Sequence, residues 1–195
     1  QIYRPMKRIS SLVFIVCTLL LFSCNETTKK ETKTKVQPVK VEGKGQSAVV
    51  DEDSDPNALQ VAMSMDDFKT LVIAVKAAGV QDALVNAGPL TVFAPVNSAF
   101  DKLPDGTVTS LLKPENKSKL AYILKNHVAP ANYPVKTLEK NVRKLRKLYM
   151  ASGKYLDVTE KDNALYVDGV KILKSVKVSN GWVHVIGDIL VPSDK

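Results

Sequence analysis

The apolar residues of this chain recur with two different periods, and the period changes along the sequence. In residues 65–79 the apolar side chains are three or four positions apart, which is the spacing of one buried helix face. They are Phe68, Leu71, Val72, Val75 and Ala78. Acids at positions 66 and 67 suit a first helical turn, and Gly79 stands where a left-handed residue ends a helix. This pattern predicts an amphipathic helix.

The next apolar segment, residues 90–96, is short and continuous, which is typical of a buried strand. Pro95 is expected to end this strand, because proline cannot donate to a neighbouring strand. Asn97 follows as the expected cap of a helical turn that carries Ala99 and Phe100 inward. A strand therefore leads directly into a helix at this point.

In the rest of the folded part, the apolar residues first have helical spacing and then alternate with polar residues as in strands. Residues 107–113 and 114–128 have helical spacing, and residues 154–192 alternate between apolar and polar. One face of the second helix carries Leu120, Ile123, Leu124 and His127. The turn-forming pairs that interrupt the alternation are Asp162-Asn163, Asp168-Gly169 and Asn180-Gly181. Helices followed by hairpins predict an α+β domain.

Residues 1–23 have the layout of a secretory signal. Basic side chains precede an apolar run at 12–22, which is too short for a comfortable membrane span. Met6 is the expected true start. The run ends in Leu-Phe-Ser-Cys, which resembles the cleavage box of a bacterial lipoprotein, so cleavage is expected before Cys24. An ordinary cleaved signal or a short anchor is the alternative.

Cys24 is the predicted site of lipidation. The resemblance to lipoproteins implies a diacylglycerol on its sulfur, usually with a further acyl chain on the new amino terminus. Such chains contribute about 0.8 kcal/mol per buried methylene and hold a protein on a membrane without a spanning helix. Because Cys17 leaves with the signal, the folded part has no thiol for a disulfide, a nucleophile or a zinc site.

Residues 24–58 are polar, rich in Lys, Glu and Thr, and without any aromatic side chain. This composition cannot bury enough apolar surface to offset the ordering entropy, so it predicts a disordered tether. A coil of this length reaches on the order of 30 Å. The folded domain is predicted over residues 59–193.

Three segments of the folded part resemble the characteristic blocks of the fasciclin domain family. TVFAPVNSAF at 91–100 resembles the first block, LKNHVAP at 124–130 the middle one, and NGWVHVIGDILVP at 180–192 the last. Asn126 replaces the tyrosine of the middle block. The resemblance implies a fasciclin-like fold, with N-terminal helices packed against a wedge or sandwich of mostly antiparallel strands. Its motif residues, for which we expect structural roles, are Thr91, Phe93, Pro95, Asn97, Phe100, His127, His184 and Pro192.

The sequence offers no complete catalytic or metal site. Ser98 lies in no nucleophile elbow, so we expect no catalysis by it. The two histidines, His127 and His184, have no companion carboxylate motif and are expected to be hydrogen-bonded core residues. Four aspartates fit turns and surface positions rather than a calcium loop. They are Asp157, Asp162, Asp168 and Asp188.

The positive charge of the chain is concentrated in one segment. The formal net charge is +8, and residues 59–195 carry nineteen basic against thirteen acidic side chains. The basic run consists of Lys140, Arg143, Lys144, Arg146 and Lys147. It is either a solvated face or a contact for acidic polysaccharide, lipopolysaccharide phosphate or anionic headgroups. Nucleic acid is not expected, since Trp182 is the only tryptophan and no aromatic ladder accompanies the charge.

These observations favour a non-catalytic adhesion or interaction module on a lipid anchor, in the envelope of a bacterium and most simply at its outer membrane. Fasciclin domains are implicated in adhesion. The Asp-Ile segment through which animal members engage integrins is replaced here by Ser175-Val176, which has no acidic residue, so integrin binding is not expected. The alternative is an envelope enzyme or small-ligand carrier with a cleft near His127 and Trp182. No cofactor is expected other than the acyl chains on Cys24.

Overall fold

The computed structural model describes residues 55–85 and 88–192. Its α-helices are α1 Ala58–Met63, α2 Lys69–Ala78, α3 Gln81–Val85, α4 Asn97–Phe100, α5 Thr107–Leu111, α6 Lys117–Lys125 and α7 Val135–Arg143. Short 3-10 helices at Asp66–Phe68 and Pro114–Asn116 precede α2 and α6. None of these helices is long and apolar enough to cross a membrane. The predicted signal, Cys24 and the tether up to residue 54 lie outside the described residues.

The strands form one curled sheet and one small ribbon. They are β1 Leu90–Pro95, β2 Val128–Ala129, β3 Leu148–Tyr149, β4 Tyr155–Leu156, β5 Val158–Lys161, β6 Ala164–Val167, β7 Val170–Val178 and β8 Gly181–Ile186. The sheet has the order β2-β1-β8-β7-β6-β5, and β3 pairs with β4. Strands β1 and β8 are parallel, whereas the other pairs are antiparallel. The α+β prediction is confirmed.

Strand β1 is buried along its whole length because it lies between two apolar clusters. Successive side chains of a strand point to opposite faces. Val92 accordingly joins the cluster under α1, α2 and α6, while Phe93 joins the one formed with Leu138 and Met150. A central strand of this kind needs apolar residues on both faces, which is why its sequence is continuous rather than alternating.

The predicted hairpin turns are present, with one shift of position. Asp162 and Asn163 both have positive φ, as do Asp168 and Gly169, which is the conformation of a type I′ turn. The third turn lies one residue earlier than its dipeptide suggests, because Gly181 already pairs with Val178 in the ladder. Gly181 instead allows the close approach of the β1 backbone at Leu90.

Asn97 does not cap its own helix, contrary to the sequence-based expectation. The cap position of α4 is Val96, and no side chain caps that helix. The Asn97 side chain instead accepts a hydrogen bond from the Thr70 amide at 3.1 Å and donates one to the Asp66 carbonyl at 2.8 Å. It therefore joins the strand-to-helix corner to the beginning of α2. Only the tertiary fold brings this second set of backbone groups within reach.

Candidate functional site

The histidine of the last sequence block, His184, is buried on β8 with both ring nitrogens hydrogen-bonded. Its Nε2 lies 2.8 Å from the Tyr133 carbonyl, and its Nδ1 lies 2.7 Å from Ser175 Oγ. Since a carbonyl only accepts, Nε2 carries the proton and Nδ1 accepts from the serine hydroxyl. Burial lowers the pKa of His184, although the Tyr133 carbonyl acts in the opposite direction. This histidine is a neutral link between strands and the 130s segment.

Thr91 holds the same segment from the neighbouring strand. Its hydroxyl donates to the Ala131 carbonyl at 2.7 Å and accepts from the Tyr133 amide at 2.9 Å. The ring of His184 also stacks on Phe93, with ring centroids 5.4 Å apart, and on Trp182, at 6.3 Å. These polar and aromatic groups of β1 and β8 thus form one structural network.

His127 is buried two residues beyond the end of α6, not on the helix face that its spacing suggests, and is also fully hydrogen-bonded. Its Nδ1 donates to the Ile123 carbonyl at 2.9 Å, and its Nε2 accepts from the Leu190 amide at 2.9 Å. Burial lowers its pKa to about 4, while the hydrogen bond to Ile123 acts weakly the other way. A histidine that is neutral and has no free nitrogen is poorly placed for acid–base work.

Asn126, which sequence reasoning treated only as a departure from the family pattern, is fully buried. Its amide donates to the Leu190 carbonyl at 3.0 Å, and its oxygen accepts from Ser152 Oγ at 2.8 Å. Asn126 therefore binds the carbonyl of Leu190, and His127 binds its amide. The one signal in the sequence was a polar pair at the end of an apolar helix face, which does not reveal its partner.

The remaining motif residues are structural by position. Phe93 is fully buried, Pro95 is the buried end of β1, and Phe100 is half-buried on α4. Pro192 is the last described residue and is half-buried. Ser98 is exposed on α4, and neither histidine is bonded to it. No described group activates that hydroxyl.

His127 and Trp182 do not share a cleft in the described part of the chain, which corrects the geometry assumed for a carrier or an enzyme. His127 lines an apolar cavity of about 260 Å³ with residues of α4, α5, α6 and the segment at Ile189 and Val191. Trp182 lines a separate depression near Pro89 and Asn132. The cavity is walled almost entirely by apolar side chains, so convergent polar groups are missing there.

The acidic residues lie at turns and in surface ion pairs. Asp157 pairs with Lys147 at 3.1 Å, and Asp188 pairs with Lys102 at 3.3 Å. Asp162 and Asp168 occupy the hairpin turns. Within residues 55–85 and 88–192, no group of three His, Cys, Asp or Glu side chains is arranged to hold a metal ion.

The basic run lies at the end of α7 and just beyond it. Lys140 and Arg143 occupy the last turn, where cations complement the helix dipole. Lys144, Arg146 and Lys147 follow, and all five side chains are exposed. Among the described ion pairs, only that of Lys147 with Asp157 involves this run. The structure thus presents a cationic surface, which we call the basic cluster.

The fold and its polar network define a class: small α+β domains in which buried histidine, asparagine and threonine side chains hold loop and C-terminal segments against a curled sheet. Residues 66–192 match the fasciclin domain family, and the chain belongs to that family. Protein sll1483 of Synechocystis is 41% identical over 150 residues, covering 75% of this chain and 81% of that protein.

Two further relatives extend the comparison. Transforming growth factor-beta-induced protein ig-h3 of Sus scrofa is 34% identical over 126 residues, which are 64% of this chain and 18% of that protein. A solved FAS1 domain pair from the insect cell adhesion molecule Fasciclin I matches with a TM-score of 0.64 at 19% identity. That match covers 72% of this chain and about half, 52%, of the insect chain, and it supports the fold alone.

Proposed function

We propose that this protein is a non-catalytic adhesion or interaction module of a bacterial cell envelope, held on a membrane by acyl chains on Cys24. Family membership supports the module, since fasciclin domains are implicated in adhesion. The signal-like residues 1–23 and the lipoprotein-like box support the anchor. The polar residues 25–54 would act as a stalk with a reach on the order of 30 Å, since Asn57 caps and Ala58 begins the first helix of the domain.

One observation carries the non-catalytic part of the proposal. Both histidines have their two ring nitrogens bonded to groups of the fold. In the described residues, no buried side-chain nitrogen or oxygen is without a hydrogen-bond partner. A catalytic site needs polar groups aimed at a substrate, whereas these are used to hold the chain together. Partners would therefore meet the outer surface.

The basic cluster is the part of that surface we assign to partners. Four of its cations form no described ion pair, so they are available to phosphate or carboxylate groups. The fitting ligands are lipopolysaccharide phosphate, acidic polysaccharide, anionic headgroups or an acidic envelope protein. An outer-membrane location would bring the stalked domain within reach of all four.

Metabolic labelling tests the anchor, and a binding assay tests the cluster. Radiolabelled palmitate should enter the protein and be absent from Cys24→Ser, with Cys17→Ser as the matched control. Salt-sensitive retention on acidic polysaccharide or lipopolysaccharide should fall with Arg143→Glu and Arg146→Glu. Equal labelling of both cysteine variants would contradict lipidation at Cys24. Unchanged retention of the charge-reversed protein on every anionic ligand would contradict ligand binding by the basic cluster.

A second candidate function, carriage of a small apolar ligand, is supported by the cavity of about 260 Å³ beside His127. For comparison, an apolar cavity of about 150 Å³ in another protein holds benzene. Val108 lines this cavity, so Val108→Trp should fill it and abolish binding of a neutral apolar dye. If the dye binds Val108→Trp as well as it binds the wild type, the cavity is not its site.

A further inference from the structure

The basic cluster contains an apolar residue in an unusual backbone conformation. Helix α7 ends in a pair of hydrogen bonds, from the Arg146 amide to the Asn141 carbonyl at 2.9 Å and from the Leu145 amide to the Val142 carbonyl at 3.1 Å. This is the Schellman arrangement, which places one residue in the left-handed region. That residue is Leu145, with φ of 51°. Glycine is strongly preferred at this position because a Cβ is disfavoured there.

Leu145 is also almost completely exposed. Its exposed fraction is 92%, while the other exposed large apolar residues described range from 37% to 64%. A leucine here stabilises nothing by packing, and its backbone conformation is unfavourable. The fold would be served better by glycine, so the side chain is a candidate for contact with something outside the molecule.

The immediate surroundings of Leu145 are cationic. Lys144 and Arg146 flank it in the chain, and Lys140 and Arg143 occupy the helix turn before it. None of these four takes part in an ion pair among the described residues. An acidic polysaccharide would use the cations but has no place for a projecting leucine. A lipid bilayer with anionic headgroups uses both groups, since its surface attracts Lys and Arg and its acyl boundary accepts apolar side chains.

We propose that Leu145 and the four free cations of the basic cluster form a docking surface for an anionic lipid bilayer. The leucine enters the boundary between headgroups and acyl chains, while the cations remain at the headgroup level. This inference rests on the proposed function, because it names the partner of the same cluster. It does not depend on the lipid anchor.

The experiment uses the full chain carrying Cys24→Ser and vesicles of phosphatidylcholine with or without phosphatidylglycerol. The variant Leu145→Trp reports depth when it is combined with Trp182→Phe, because its tryptophan is then the only one in the chain. Lipids brominated near the headgroup should quench its fluorescence on anionic vesicles only. Leu145→Asn should lower the part of vesicle binding that requires phosphatidylglycerol, by roughly fivefold for partial loss of a buried leucine side chain. The apolar run at 12–22 and the basic side chains before it also bind vesicles, so the variants are compared below saturation, where this shared contribution cancels.

Leu145→Gly separates a binding role from a structural one. Glycine suits the left-handed backbone, so this variant should resist urea at least as well as the wild type while binding anionic vesicles more weakly. Leu173→Asn serves as the matched apolar control, since Leu173 is 54% exposed on β7. The double variant Lys171→Glu, Lys174→Glu, at two exposed positions of β7, is the matched charge control for the double variant Arg143→Glu, Arg146→Glu.

Two results would overturn the inference. One is unquenched Leu145→Trp fluorescence on anionic vesicles, and the other is equal binding by Leu145→Asn and Leu173→Asn. If either occurs while acidic polysaccharide still retains the wild type but not the Arg143→Glu, Arg146→Glu protein, the proposed function stands and only the bilayer is excluded. Absence of palmitate from the wild type would contradict the anchor alone, because the vesicle experiment is carried out on the Cys24→Ser protein.

Discussion

At the scale of single residues, the polar side chains of the family motifs act mainly on the backbone. His127 and Asn126 satisfy the two backbone groups of Leu190, and Thr91 and His184 satisfy those of Tyr133. Leu190 and Tyr133 lie in irregular segments that have no strand partner to fill this need. Burying a backbone group without a hydrogen-bond partner lowers stability, so these side chains supply the hydrogen bonds that a neighbouring strand would otherwise make.

Replacement of His127 by leucine should destabilise the domain by about 2–3 kcal/mol. The Leu190 amide would lose its acceptor in a buried position, whereas the Ile123 carbonyl would keep the Asn126 amide. Urea unfolding followed by circular dichroism measures the change. The control is Ser98→Ala, an exposed position that should stay within roughly 0.5 kcal/mol of the wild type. A His127→Leu protein as stable as this control would contradict the structural role.

At the scale of elements, the parallel pairing of β1 and β8 joins the two ends of the domain sequence. Leu90 lies opposite Gly181, and a Cβ at position 181 would stand 1.7 Å from the Leu90 carbonyl oxygen. The φ of Gly181 is also +145°. The hairpin dipeptide that the sequence indicates is thus needed for a contact with a strand that is distant in the chain.

Gly181→Ala should therefore cost more than any ordinary turn substitution, on the order of 3 kcal/mol or more, because the β1 and β8 backbones must separate. Gly169→Ala has open space and only an unfavourable φ, so it should cost about 1 kcal/mol. Gly88→Ala has neither constraint and should be close to neutral. Thermal unfolding of the three variants should give this order, and an equal effect at positions 181 and 169 would refute the close approach.

At the scale of the whole molecule, two buried histidines make stability depend on pH. The pKa of His127 falls from its ordinary 6.5 to about 4 in the folded state, and that of His184 is lowered as well. Below pH 6.5 the unfolded chain binds a proton that folded His127 does not bind until about pH 4. The contribution of His127 to the free energy of unfolding is therefore complete above pH 6.5 and is lost as the pH falls toward 4.

The loss attributable to His127 between pH 6.5 and 4 should be roughly 3 kcal/mol. Urea midpoints measured across this window give the dependence, with the wild type less stable at the acid end. His127→Leu lacks one of the two groups and should show a flatter profile. A profile as steep as that of the wild type would mean that His127 does not supply this dependence.

Local patterns predicted much of the fold. The spacing from Leu71 to Ala78 predicted the buried face of α2, and the Asp-Asn and Asp-Gly pairs predicted two hairpins, because period and turn chemistry act over a few residues. The partners of Asn97 and Asn126 were not predictable, since each bonds to groups brought near only by the complete fold. The left-handed Leu145 was missed for another reason, as nothing in its sequence favours that conformation.

The sequence by itself determined the fold class, the family resemblance and the run of charge, because these depend on composition and on short-range order. The tertiary structure decided which polar groups are free. Both histidines form hydrogen bonds within the fold, and His127 lines the apolar cavity while Trp182 lines a separate depression. Leu145 remains exposed among cations. The physical reason is that hydrogen bonding and burial belong to pairs of distant segments, and only the packed chain defines those pairs.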